Sequence, residues 1–68
     1  MTPAQRTALT DWFDERGLLA RRLDGRTLKS VQALGRDGLA VYAPVEGHTY
    51  SCWQLTDAGR AARTSLAT

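Results

Sequence analysis

With 68 residues, 43% of them hydrophobic and 24% charged, the chain can build one small core, at a size where only about 60% of the unfolded surface is buried on folding. The composition speaks against intrinsic disorder, and the single cysteine, Cys52, excludes an internal disulfide and a cysteine-based zinc site. The net charge of +2 is too small to imply a polyanionic partner by itself, so its distribution has to carry that argument.

No apolar run approaches the roughly 18 residues needed to cross a membrane, and the segment Met1-Thr2-Pro3-Ala4-Gln5-Arg6 lacks the apolar stretch of a secretory signal. The expectation is a protein of one domain over residues 1–68, in a reduced, cytoplasmic setting and away from membranes.

Thr2 before Pro3, with Gln5 three places on, combines a helix cap, a proline at the first helical position and a capping box. Ala4, Ala8, Leu9, Trp12 and Phe13 follow at helical spacing, and Gly17 offers a stop. The pattern predicts a first helix over residues 3–16, with Trp12 and Phe13 in the core. The segment Leu18-Leu19-Ala20-Arg21-Arg22-Leu23 reads either as a short helix or as an extended connector. In both readings Leu18, Leu19 and Leu23 face inward and Arg21 and Arg22 face solvent.

Asp24 is placed to cap a helix over residues 25–37. Leu28, Val31 and Leu34 fall on its inner side. The opposite side holds Arg26, Lys29, Ala33 and Arg36, flanked by Ser30 and Gln32. Gly35 costs such a helix about 1 kcal/mol relative to alanine, and Gly38 stands where a left-handed residue would end it.

From Leu39 the period changes to that of strands. Leu39–Tyr42 and Thr49–Leu55 are rich in β-branched and aromatic residues, and Pro44 and Gly47 between them signal a turn. Alternation sets Trp53 and Leu55 on the inner face. Tyr42 and Tyr50 are then expected as a cross-strand pair on the outer face. Thr56 caps a closing helix, with Asp57 in its first turn. Its small-residue stripe is Ala58, Ala61, Ala62, Ser65 and Leu66, and Arg60 and Arg63 point outward.

The charge is unevenly spread over these elements. Residues 1–17 carry Arg6 and Arg16 against Asp11, Asp14 and Glu15, a balance of −1. Residues 18–38 carry Arg21, Arg22, Arg26, Lys29 and Arg36 against Asp24 and Asp37, a balance of +3. Residues 39–68 are neutral, with Arg60 and Arg63 against Glu46 and Asp57. A partner rich in phosphates would feel the middle segment most strongly.

Nothing in the sequence assembles a catalytic or metal site. His48 stands alone in a turn with no second ligand at usable spacing. Cys52 lies within a strand, a poor seat for a nucleophile. Asp11, Asp14 and Glu15 crowd one helix without the histidines or glycine loops a paired-carboxylate site would need. The expectation is a protein that is not an enzyme, with no cofactor, metal or small-molecule substrate.

The order helix, short segment, helix, hairpin, helix implies an α+β fold and resembles a small winged helix-turn-helix domain. The string Thr27-Leu28-Lys29-Ser30-Val31-Gln32-Ala33-Leu34-Gly35-Arg36-Asp37-Gly38-Leu39 resembles the recognition helix and following glycine turn of winged helix regulators. Trp53-Gln54-Leu55-Thr56-Asp57-Ala58-Gly59-Arg60-Ala61-Ala62 is similar to the second wing strand and closing helix of MarR-like domains. The chain departs from that pattern between residues 18 and 23, where a full second helix is compressed.

The resemblance implies binding of double-stranded DNA by a small bacterial or phage transcriptional regulator, acting as a homodimer or within a larger protein complex. Helix 25–37 would enter the major groove. Arg26, Lys29 and Arg36 would meet phosphates or base edges, while Ser30, Gln32 and Ala33 would let the helix approach the bases. Arg21 and Arg22 would clamp phosphates, and His48 would ride at the wing tip. The alternative is a protein-interaction module on the same scaffold, docking through the first helix or the outer hairpin face.

Overall fold

The computed structural model describes residues 1–67. Its elements run α1 (Pro3–Asp11), α2 (Gly25–Arg36), β1 (Ala40–Pro44), β2 (Ser51–Leu55) and α3 (Asp57–Ala67). Three helices and a two-stranded antiparallel hairpin make this a small α+β domain.

Helix α1 starts as its sequence dictates. The Gln5 backbone N–H donates to the Thr2 hydroxyl at 3.1 Å, and the Thr2 N–H donates to Gln5 Oε1 at 2.9 Å, the reciprocal capping box. It stops at Asp11, well short of residue 16, and Asp14 is the reason. Asp14 Oδ1 accepts from the backbone N–H groups of Arg16 at 2.8 Å and Leu18 at 3.0 Å, an alternative to helical bonding that short acidic side chains offer. Gly17 completes the turn at φ +81°.

Residues 18–23 are extended. Leu18 bridges Gln54, the Leu19 N–H donates to the Trp53 carbonyl at 2.9 Å, and the Leu55 N–H donates to the Gly17 carbonyl at 2.8 Å. The segment therefore lies along the β2 edge that β1 leaves open, and its backbone groups are satisfied there rather than in a helix. Between Trp12 and Asp24 there is no helix, so α2 is braced by α1 and β1 instead. Leu18 is buried and Leu19 half-buried, but Leu23 is exposed, against expectation.

Helix α2 begins where Asp24 Oδ1 accepts from the N–H groups of Arg26 at 3.0 Å and Thr27 at 2.9 Å. Thr27, Val31 and Leu34 form its buried side. Leu28 is only half-buried, because the shorter Thr27, not Leu28, points at the core. The helix ends through Gly38 at φ +77°, with the Leu39 N–H donating to the Leu34 carbonyl at 2.9 Å.

In the hairpin, Ala40 pairs with Leu55, Tyr42 with Trp53 and Pro44 with Ser51. The expected Tyr42–Tyr50 pair does not form. The loop is displaced two residues along the chain, to residues 45–50, so the register sets Tyr42 against Trp53, edge-on at 5.9 Å, and Tyr50 lies beyond the strand end beside His48 at 5.2 Å. Trp53 rests on α2 at Gly35, where a Cβ would stand 3.1 Å from the indole. The glycine that weakens the helix is thus where the hairpin sits down. Ala8, Leu9, Phe13, Leu34, Ala40 and Leu55 form the core beneath.

Helix α3 is tied to the C-terminal turn of α2 through Thr56. Its hydroxyl donates to the Gly38 carbonyl at 2.6 Å and accepts from the Gly59 N–H at 3.1 Å, while its backbone N–H donates to the Leu39 carbonyl at 3.0 Å. Gly59 is buried, and a Cβ there would collide with the Leu39 carbonyl oxygen. The inward side of α3 is therefore Gly59, Ala62 and Leu66, and Ala58 and Ala61, expected in the stripe, are exposed.

Arg60 and Arg63 do not simply point outward. Arg60 Nη2 donates to the Arg16 carbonyl at 3.0 Å, and Arg63 Nη1 donates to the carbonyls of Phe13 at 3.4 Å and Asp14 at 2.8 Å. Both arginines fasten α3 to the 13–17 turn.

Candidate functional site

On α2, residues 26, 29, 33 and 36 advance by three or four positions and so share one side of the helix. Arg26, Lys29 and Arg36 are exposed along that side with the half-buried Ala33 among them, and the exposed Gln32 and half-buried Ser30 lie at its flanks. Among the described residues none of the three cations has an ion-pair partner, the one pair being Arg16 with Asp14 at 3.3 Å. Asp37 is exposed at the C-cap and bonds to none of them. The side chains stand in solvent with their donors free, a row of positive charge about three turns long.

The N-terminal end of this row is electrostatically tuned. The Thr27 backbone N–H and hydroxyl hold the Asp24 carboxyl below its ordinary value, outweighing the opposing loss of solvation, and the Arg26 N–H and the nearby charge of Arg21 add to them. The cap is thereby kept ionised, which favours the helix start. Arg21 itself lies over the Trp12 ring, 4.8 Å from its centroid, a cation–π contact that gives this expected phosphate clamp an intramolecular seat. Arg22 is exposed and carries no such contact.

Beside the C-terminal half of α2 runs a groove of about 570 Å³, lined by Gln32 and Arg36 on the helix and by Val41, Tyr42 and Trp53 on the hairpin, with Gly35 at its base. The structure thus brings two of the expected residues, Gln32 and Arg36, to an aromatic wall that the sequence reading had assigned to packing and wing stiffness. Gly35 was the available signal: a glycine within a helix, followed by a strand bearing Trp53, marks a place where another element approaches the backbone closely.

His48 does not join this arrangement. It lines a separate groove with Arg16, Leu18, Gln54 and Arg60, and Gln54 lies on the opposite face of β2 from Trp53 by alternation. Among the described residues no group of three His, Cys, Asp or Glu side chains could hold a metal ion, and no helix is long and apolar enough to cross a membrane. Compared with family models, curated proteins and solved structures, the chain matches none.

Proposed function

We propose that the chain is a DNA-binding protein of winged helix type, a small transcriptional regulator that lays α2 in the major groove of double-stranded DNA. The observation that carries this reading is the row Arg26, Lys29 and Arg36, exposed on one side of α2 with no acidic partner. Three aligned, unpaired cations suit a phosphate backbone, and Gln32 beside them is able to bond an adenine edge.

Ser30 and Ala33 keep the helix slim at the same side. Arg22, with Arg21 where it can leave Trp12, would extend the contact beyond the N-terminus of α2, and the hairpin would flank it. A module this small covers a short site, so a homodimer or a place in a larger protein complex would supply the remaining affinity. A cytoplasmic protein without cofactor or catalytic activity fits this role.

The test is a salt titration of binding to random duplex DNA. Each phosphate contact contributes roughly −0.9 to the slope of log affinity against log salt. The variant with Arg26, Lys29 and Arg36 all changed to alanine should therefore lose most of the affinity and flatten the slope by roughly 2.7. No binding at micromolar protein and low salt, or a triple variant that binds like the parent, would overturn the reading. A second reading, docking of a partner protein, is favoured by Val41 and Tyr42, which stand exposed on the hairpin.

A further inference from the structure

The groove beside α2 is not needed for contacts to a paired duplex along the α2 row, yet it is built from groups that suit nucleic acid. Its volume of about 570 Å³ lies in the range of sites that take small ligands. Tyr42 is 60% exposed, and its ring stands edge-on to the Trp53 indole at an interplanar angle of 69°. On the opposite wall Gln32 offers an amide with both donor and acceptor, and Arg36 a guanidinium without a partner. Arg36 is also the last cation of the α2 row, so a strand held by Arg26 and Lys29 leads into the groove.

Exposed aromatic rings hold unpaired bases by stacking, whatever the sequence. A base paired within a duplex has both faces covered by its neighbours and presents none to Tyr42, and the last pair of a blunt end is held to its partner strand and cannot enter the groove alone. We propose that the groove receives one unpaired base of a nucleic acid whose adjoining backbone lies along α2. The preferred ligand is then a duplex with a single-stranded end, ahead of a fully paired one. The inference rests on α2 binding nucleic acid. An acidic peptide with an apolar side chain would meet the same charges, but the flat ring facing an amide matches the face and edge of a base more closely.

The experiment compares a short blunt duplex with the same duplex carrying a few unpaired adenines at one 3′ end. Binding is followed by anisotropy of a label on the duplex and by tryptophan emission in a Trp12→Phe background, which leaves Trp53 as the sole tryptophan. The overhang should bind tighter by at least about five-fold, the lower end of what one stacked base contributes, and should quench Trp53. In Tyr42→Ala, shown folded by circular dichroism, the preference should vanish while blunt-duplex affinity stays as before.

Equal affinity for both duplexes with unchanged Trp53 emission overturns the inference and leaves the α2 reading standing. Loss of blunt-duplex binding in Tyr42→Ala overturns it too, because Tyr42 would then serve the paired duplex. Binding of neither duplex overturns both, and Trp53 quenching by an acidic peptide instead would assign the groove to a protein partner.

Discussion

Arginines are used in opposite ways on the two sides of this molecule. On α3, Arg60 and Arg63 spend their donors on the backbone carbonyls of Phe13, Asp14 and Arg16, and so belong to the fold. On α2, Arg26 and Arg36 stand exposed with no such acceptors, and so contribute nothing visible to it. The difference lies in what each helix faces. Where α3 passes the 13–17 turn, that turn presents carbonyls that no helix or strand satisfies, and a guanidinium is the longest and richest donor available. The outer side of α2 faces only solvent. Counting charge alone would merge the two sets, whereas their hydrogen-bond partners separate a fastening from a surface available to a ligand.

The strongest way to break the comparison is to loosen the fastened side. In Gly59→Ala the added methyl meets the Leu39 carbonyl oxygen, a backbone atom that cannot swing aside as a side chain would. Helix α3 must then shift off the α2 turn and strain the Thr56 hydrogen bonds to Gly38 and Gly59. The expected cost is about 3 kcal/mol, the upper end of what overpacking typically costs, and a large fraction of the stability of a domain of this size. A urea denaturation curve checks it, and a midpoint near that of the parent would mean that α3 does not seat as described.

Gly59 also shows how far the sequence could be read. The Thr56 cap, the Thr2 capping box, the Gly38 turn and the inner positions of Val31, Leu34 and Leu55 were all legible, because each depends on local chemistry and periodicity. What escaped depends on distant partners. The end of α1 was missed because Asp14 bonds forward to Leu18, and periodicity has no sense of such a turn. Tyr42 was placed on the wrong side because the loop between the strands lies two residues further along the chain than Pro44 and Gly47 indicated, and register fixes the face of every strand residue.

The α2 cations were legible as a row from spacing alone. Their freedom from partners was not, since Arg60 and Arg63 look no different in sequence and are bonded. Likewise the small-residue stripe expected from spacing, Ala58, Ala61, Ala62, Ser65 and Leu66, passes over Gly59, and only the approach of Leu39 shows why nothing larger fits there.

A paired measurement sharpens the contrast between the arginines. Arg63→Ala removes two contacts to backbone carbonyls from a half-buried position, and hydrogen bonds from charged donors contribute about 1.5–3 kcal/mol. A loss near the lower figure is expected in thermal or chemical denaturation. Arg36→Ala, by comparison, should change stability by less than about 0.5 kcal/mol, as for a surface position without partners, while weakening DNA binding. If both variants lose stability equally, the α2 row is part of the fold and its claim as a surface for a ligand falls.

The smallest effect expected concerns the carboxylates, one at the start of each region. Partial burial opposes the charge of Asp14, but the Leu18 and Arg16 N–H groups and the Arg16 guanidinium outweigh it and hold the carboxyl below its ordinary value of 3.8. Asp24 is lowered at the α2 cap in the same direction. A carboxyl that binds its proton less readily when folded stabilises the fold fully above its unfolded value, and that contribution is lost as the pH falls through the folded one.

The melting temperature should therefore decline as the pH is taken below about 4. Asp14→Asn keeps an oxygen to accept from Leu18 but cannot be protonated in this range. Its melting temperature should lie slightly below the parent's at neutral pH and converge on it in acid. Asp24→Asn, which also leaves a competent cap, should do the same, and the two effects should add because the carboxylates share no hydrogen-bond partner. Acid legs that stay parallel to the parent's in both variants would mean that neither carboxylate holds its turn through charge. The two regions would then differ in their arginines alone.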